Sequence, residues 1–224
     1  MDRAPDDEPP RRPSWRRRVP LVAITALLLT GGLLLGLGMT RQQPAPPPAA
    51  DRNPAPTAPR SSAPSTKRPT TALPPSRPVS ITIPSLKVTS DLEQLGLGEK
   101  RTMETPKDPA KAGWYRPGTT PGAIGPSVIA GHVTWDGVPA VFFKLTELEP
   151  GDRIDVSRAD GTTAVFTVDR TATYPKDDFP TIEVYRNLDY AGLRLITCGG
   201  AFSEKDSRYA DNVVVYASLT GHRG

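Results

Sequence analysis

Short apolar runs separated by turn residues recur between residues 79 and 219, and they limit the fold of this chain more than any other feature. Clusters of Gly, Pro and Asp, such as Pro117-Gly118 and Ala159-Asp160-Gly161, separate them. Many short strands with such turns are typical of an all-β barrel or sandwich. We therefore predict an all-β domain over residues 79–224, with Ala140–Leu148 as the best candidate for a short helix. The predicted strands contain Val79–Ile83, Ser127–Ala130, Arg153–Val156, Ala164–Val168, Leu193–Thr197 and Val213–Ala217.

The stretch from Val19 to Met39 carries no charge and consists mostly of Leu, Ala, Val, Ile and Gly. About 20 apolar residues suffice to cross the hydrocarbon core of a bilayer, so we predict one transmembrane helix over residues 19–40. Arginines are frequent in residues 11–18, which places the tail 1–18 in the cytoplasm and the rest of the chain outside. The alternative is a cleaved signal peptide, whose apolar region is normally only about 7–15 residues long.

A proline-rich segment follows the predicted anchor. Residues 44–78 hold 12 of the 27 prolines in the chain, interleaved with Ala, Ser and Thr. Such a composition cannot build a core and favours extended polyproline II, in which these residues would span up to ~110 Å. We therefore predict a disordered linker over residues 41–78, which would hold the domain away from a membrane.

The charge of the chain is unevenly distributed. The formal net charge is +4, but residues 1–78 carry 12 Lys and Arg against 5 Asp and Glu, so residues 79–224 carry 16 against 19. The predicted domain is therefore mildly acidic and has no basic stripe. This excludes nucleic acid as an expected partner.

Cys198 is the only cysteine in the chain. The predicted topology places it outside the cell, where cysteines usually occur in disulfide pairs. An unpaired thiol at the end of the predicted strand Leu193–Thr197 suggests a nucleophile. The alternative is a buried structural cysteine, because free cysteine is among the most buried residue types.

Two further residues are candidates for catalytic groups that would act together with this thiol. His132 ends another apolar run, and an imidazole supplies the base or the cation that a nucleophilic thiol needs. His222 lies close to the C-terminus, where chains tend to fray. Arg208 precedes the last predicted strand and is a candidate for stabilising an oxyanion. One cysteine and one well-placed histidine fall short of the usual zinc ligand set, so we predict no metal site.

The order of the candidate histidine, cysteine and arginine resembles that of the sortases, cysteine transpeptidases of Gram-positive cell surfaces. Their cysteine motif reads Thr-Leu-x-Thr-Cys, which this chain matches at Leu195, Thr197 and Cys198 but not at Arg194. Other segments follow the order seen in actinobacterial sortases, and the sequence looks most like class F. These segments are Ile81–Pro84, Gly113–Tyr115, Pro121-Gly122, Ser127–His132, Val141–Leu145, Pro150–Asp152 and Thr197–Phe202.

The resemblance implies a closed barrel of about eight strands and a two-step acyl transfer. Cys198 would attack the carbonyl between Thr and Gly in a Leu-Pro-x-Thr-Gly-like sorting signal of a surface protein. His132 would protonate the departing amine, while Arg208 and a backbone N–H would hold the substrate and the oxyanion. The amine of a peptidoglycan precursor would then take the acyl group from the thioester. Substrate-binding residues would lie within residues 172–190, and the reaction requires no cofactor.

Three alternatives remain. The L,D-transpeptidases also place histidine before cysteine, but their Ser-x-Gly-Cys-x-Arg signature is absent around Cys198. Papain-like wall endopeptidases place cysteine before histidine, the reverse of the order found here. A non-catalytic wall or adhesion module with a structural cysteine is the alternative from a different functional class. It predicts that substitution of Cys198 leaves the function intact.

Overall fold

The computed structural model describes residues 71–98 and 101–224, and these residues form a closed eight-stranded β-barrel. The strands are β1 (Pro78–Ile83), β2 (Val88–Leu95), β3 (Ala112–Tyr115), β4 (Gly125–Ala130), β5 (Thr134–Trp135), β6 (Val138–Pro139), β7 (Arg153–Arg158), β8 (Thr163–Pro175), β9 (Ala191–Ser203) and β10 (Arg208–Arg223). The order around the barrel is β1-β2-β3-β4-β9-β10-β8-β7, and β5 pairs with β6 in a separate two-stranded sheet. The predicted all-β barrel is confirmed.

The alternation of apolar and polar residues determines which side chains fill the barrel. Successive residues of a strand point to opposite faces, so every second side chain faces the interior. Ile81 and Ile83 of β1, Ile154 and Val156 of β7 and Phe166 of β8 are all fully buried in one interior cluster. Burial of each such side chain contributes about 1.5–3 kcal/mol, so this interior supplies the main driving force for folding.

Two neighbouring strands, β4 and β9, run parallel. Their register extends from Gly125 opposite Ala191 to Ala130 opposite Ile196. The paired segments of both strands are buried at every position because both of their faces are covered, which explains why their sequences are largely apolar. Since they run in the same direction, the residues that follow both pairings lie at the same edge of the barrel.

A second apolar cluster lies on the outer surface of the barrel. It contains Val128 of β4, Ile196 of β9 and Val214 of β10, and Val184 packs against them with no exposed surface. Val184 belongs to helix α1 (Thr181–Tyr185), the only α-helix among the described residues. The connection between β8 and β9 is therefore held against the outside of the central strands.

The predicted helix over Ala140–Leu148 is wrong. This segment contains only a short 3₁₀ helix, Leu145–Glu147. The N–H groups of Phe143, Leu145, Glu147 and Leu148 each donate to the carbonyl three residues earlier, so the segment forms successive 3₁₀-type turns instead of the i−4 ladder of an α-helix. The N–H groups of Ala140 and Phe142 donate to the carbonyls of Val133 and His132, which ties the segment to the neighbouring loop.

Three other boundaries differ from those expected. Strand β9 does not end at Cys198 but continues to Ser203, where it forms a hairpin with β10. Strand β10 runs to Arg223, so His222 is paired in the sheet opposite Ala164. Residues 72–77, placed in the predicted linker, also contact the barrel: the backbone N–H of Leu73 donates to the carbonyl of Gly122 at 2.8 Å.

The predicted cytoplasmic tail, transmembrane helix and most of the linker lie outside the described residues. Within residues 71–98 and 101–224, no helix combines the length and apolarity that spanning a bilayer would require.

Candidate active site

Cys198 lies on the outer face of the barrel, two residues beyond the last β4 partner of strand β9. Ile196 belongs to the outer apolar cluster and Thr197 is buried, so the alternation of the strand turns Cys198 outward. Its thiol is free and half-buried, and Asn212 of β10 is its cross-strand neighbour. The thiol is therefore accessible from the outer surface while the strand fixes its position.

His132 follows β4 by two residues. The β4–β9 register, in which Ala130 faces Ile196, would place position 132 opposite Cys198 if it continued, and the N–H of Gly131 still donates to the carbonyl of Ile196 at 3.0 Å. The Nε2 atom of His132 lies 2.8 Å from the carbonyl oxygen of Pro106. A carbonyl can only accept a hydrogen bond, so Nε2 carries a proton, and Nδ1 is the ring nitrogen that remains available for proton transfer.

The loop that carries His132 is held on several sides. The ring of Trp135 packs edge-to-face on the imidazole, with 4.9 Å between ring centres. The hydroxyl groups of Thr134 and Tyr209 are hydrogen-bonded at 2.8 Å, which joins the loop to the start of β10. The N–H of Phe142 donates to the carbonyl of His132. These contacts fix the imidazole at the barrel edge that also carries Cys198.

Arg208 is the first residue of β10 and is exposed, with 55% of its side chain accessible. It lies opposite Ser203 of β9, just as Asn212 lies opposite Cys198. The extra residue between these two pairs belongs to β9, so successive side chains of β10 still point alternately to the two faces of the sheet. Arg208 and Asn212 therefore share a face. The guanidinium of Arg208 lies 3.9 Å from a carboxylate oxygen of Asp177. Within the described part of the chain, no hydrogen bond joins any two of His132, Cys198 and Arg208.

Lys176 is the group in contact with the thiol, and the sequence analysis missed it. Its Nζ atom lies 3.5 Å from the Sγ atom of Cys198. Lys176 opens the 3₁₀ turn Lys176–Asp178 directly after β8. Tyr174, two residues earlier, is paired with Asn212, which in turn is paired with Cys198. Only the strand order β8-β10-β9 would have revealed this neighbour.

A model of a protein family, described as the sortase domain, matches residues 81–220. This match includes residues from every strand of the barrel and covers more than half of the chain.

The chain belongs to the sortase family.

Sortases are cysteine transpeptidases, and this chain is therefore an enzyme of that kind. Its fold is similar to that of Listeria monocytogenes sortase A, with 22% sequence identity, a TM-score of 0.50 and coverage of 67% of this chain and 90% of that one. It is also similar to the SrtA sortase from Actinomyces oris, with 19% identity, a TM-score of 0.52 and coverage of 69% and 89%. At such identities the likeness concerns the fold alone. None of the curated proteins matches this chain.

The position at which this sortase departs from the family cysteine motif has a structural role. Arg194 is only 3% exposed, and its guanidinium lies over the ring of Tyr216 at 4.5 Å from the centre. Arg170 lies over the same ring at 3.5 Å and forms an ion pair with Glu183 of α1. Burial and a hydrogen bond with Tyr174 raise the pKa of Tyr216. This stack helps to hold α1 on the outer face.

A groove of about 610 Å³ runs beside α1 on the outer face of this sortase. Tyr115 and Val128 line its barrel side, while Thr181, Tyr185 and Asn187 line the opposite side. These last three residues fall within the segment 172–190 that the resemblance assigned to substrate binding.

In the part of the sortase that the structure describes, no group of three or more His, Cys, Asp and Glu side chains is placed to hold a metal ion.

Proposed function

We propose that this sortase cleaves a Leu-Pro-x-Thr-Gly-like sorting signal between Thr and Gly through a thioester on Cys198. The observation that supports the proposal is that an outward-facing free thiol and a firmly held imidazole both lie at the end of the parallel pair β4–β9. A thiol with an imidazole neighbour is the usual arrangement of a cysteine nucleophile.

In the first step the Cys198 thiolate attacks the Thr carbonyl carbon, forming a C–S bond and an oxyanion. The oxyanion then collapses, the C–N bond breaks, and His132 gives its proton to the departing Gly amine. In the second step an amine attacks the thioester, His132 takes a proton from it, and the C–S bond breaks. The products are a new amide and the free thiol. The bond exchange is thus balanced by the protein's own groups.

Arg208 is assigned to the oxyanion and to the substrate backbone, together with a backbone N–H close to Cys198. Its ion pair with Asp177 is exposed on both sides, with 55% and 90% of the side chains accessible. Exposed pairs contribute only about 0–1 kcal/mol, so substrate binding can displace Asp177 at little cost.

Four finer assignments complete the proposal, and of these only the groove comes from the structure while the other three rest on the sequence. We assign the enzyme to class F because of the ordered segments around its cysteine, and we assign the groove beside α1 to the apolar part of the sorting signal. The acceptor is an amine of a peptidoglycan precursor. A helix over residues 19–40 anchors the enzyme in the cell membrane, with the barrel on the cell-wall side.

The test is an incubation of the whole 224-residue chain with a Leu-Pro-x-Thr-Gly peptide, followed by intact mass measurement. We expect a hydroxylamine-sensitive adduct on the wild type and none on Cys198→Ala, whose thermal unfolding should be unchanged. An adduct that persists in Cys198→Ala, or no cleavage of any signal variant by the wild type, would contradict the proposal. Addition of a glycine-based amine should convert the adduct into a transpeptidation product.

A further inference from the structure

Lys176 places a positive charge against the sulfur of Cys198. The distance from Nζ to Sγ is 3.5 Å, and both side chains are half-buried. Nζ is a donor only, so in this contact the sulfur accepts. The contact is tertiary, because Lys176 follows β8 whereas Cys198 lies on β9, with β10 between them.

The neighbouring carboxylates do not neutralise this charge. Asp177 is directed at Arg208, with 3.9 Å between the charged atoms. Among residues 71–98 and 101–224, Lys176 makes no ion pair, and its polar contact is with the thiol. Its charge therefore acts on the sulfur rather than on an acidic partner.

We propose that Lys176 is a catalytic residue of this sortase, whose ammonium stabilises the Cys198 thiolate before the attack on substrate. The proposal rests on the proposed function, in which that sulfur is the nucleophile. The thiol proton passes to His132, and the ammonium of Lys176 keeps its own protons. Cationic neighbours of this kind are one of the recognised ways in which proteins activate a cysteine.

This contact divides the positive charges of the site between two tasks. Lys176 interacts with the sulfur in the free enzyme, while Arg208 remains with Asp177 until substrate binds. Once the thioester exists, the sulfur carries no charge and its interaction with Lys176 weakens. As an ammonium, Lys176 has no lone pair with which to take the acyl group from the neighbouring thioester.

The experiment compares alkylation of the single thiol by iodoacetate and by iodoacetamide, which differ in charge. The variants are Lys176→Met, which removes the charge and shortens the unbranched side chain by only one atom, and Lys176→Arg, which keeps the charge. Lys144→Met is the matched control, since Lys144 is 57% exposed and pairs with Glu147. Thermal unfolding of each variant reports whether the barrel is intact.

We expect Lys176→Met to lower the ratio of the iodoacetate rate to the iodoacetamide rate by about fivefold or more, since a unit charge about 4 Å away has this effect even with the full screening of water. Lys176→Arg and Lys144→Met should keep the wild-type ratio. Added salt should lower the ratio in the wild type more than in Lys176→Met. A folded Lys176→Met protein with the wild-type ratio would overturn the proposal.

Acylation by the sorting-signal peptide is measured on the same proteins. Lys176→Met should form the thioester at least about fivefold more slowly than the wild type, and Lys176→Arg should recover most of that rate. A hydroxylamine-resistant adduct on Lys176 of the wild type would overturn the ammonium role. If the alkylation ratio depends on Lys176 but the wild type forms no thioester, the proposed function fails while the charge contact is supported.

Discussion

Gly131 offers a direct way to disturb the placement of His132. A Cβ atom at this position would lie 2.6 Å from Cδ2 of Phe142 and 2.8 Å from Cγ1 of Val141. Phe142 is fully buried, and its N–H donates to the carbonyl of His132. The ring cannot move aside without disturbing both the core and the loop, so Gly131→Ala should force the loop away from β9.

The expected cost follows from two opposing effects. Forcing an extra methyl group into a packed core costs about 1–3 kcal/mol. Replacing glycine by alanine also restricts the unfolded chain, which returns about 0.4–1 kcal/mol. At the middle of these ranges the net destabilisation is about 1.3 kcal/mol, and at about 2–4 °C per kcal/mol for a domain of about 150 residues it should lower the midpoint of thermal unfolding by about 3–5 °C.

Circular dichroism of the whole chain measures this midpoint, and intact mass measures the rate of thioester formation. The rate should fall by about 100-fold, because a displacement of about 1 Å at a catalytic group can have that effect. Gly221→Ala is the matched control, since its Cβ would meet nothing within 4 Å, and it should be as stable as the wild type or up to about 1 kcal/mol more stable. If Gly131→Ala were as stable and as fast as Gly221→Ala, the assignment of Gly131 and Phe142 as supports of His132 would be wrong.

Three further predictions concern other parts of the barrel. Arg208→Ala should slow thioester formation about 10²–10³-fold, as measured by intact mass, with unchanged thermal unfolding because the residue is exposed; a stable variant of wild-type rate would contradict its role. Burial raises the pKa of Tyr216 above its ordinary value of 10.0, so the folded state favours the neutral phenol. The free energy of unfolding that this group contributes is complete below that pH and is lost as the pH rises through the raised pKa. The midpoint of unfolding should therefore fall less steeply above about pH 10 in Tyr216→Phe than in the wild type, and parallel curves would contradict this. Deletion of residues 71–77 should lower the midpoint, because Leu73 packs against the core and the nearly inaccessible Arg158 donates to the carbonyl of Pro74; an unchanged midpoint would show that these contacts contribute nothing.

The strand content could be predicted from the sequence because its cause is local. Apolar and polar residues alternate in Val79–Ile83 and Arg153–Val156 because one face of each strand is buried and the other is open to solvent. The structure has β1 and β7 at these positions. The parallel pairing of β4 with β9 has no such local sign, since a largely apolar run is compatible with any strand buried on both faces.

The predicted helix that is absent and the helix α1 that was not predicted have a common physical explanation. The segment Ala140–Leu148 has apolar residues at helical spacing, yet its amides donate to the loop of His132. Helix α1 has only five residues, Thr181–Tyr185, and depends on burial of Val184 against the barrel. In both cases a tertiary contact decides the local structure, and the sequence pattern of a short segment does not contain it.

In the candidate site, too, residues placed by a local sequence pattern could be predicted and a residue placed by tertiary contacts could not. His132 and Cys198 could be found because each follows an apolar run, and the parallel register of those runs brings the two positions to one edge. Lys176 could not be found, because its contact with Cys198 depends on the pairing of β8 with β10 and of β10 with β9. A lysine after a strand is otherwise an ordinary solvated residue.

The arrangement of strand ends explains why one edge of this barrel suits acyl transfer. Strands β4, β8 and β9 all run towards this edge, and the antiparallel β10 starts from it. Four separate parts of the chain can therefore each supply one group, here His132, Lys176, Cys198 and Arg208. The interior of the barrel contributes nothing to the chemistry, so the loops at this edge can change without loss of the core. It follows that Lys176, which lies on the connection that also carries α1, links activation of the thiol to the segment proposed to bind the substrate.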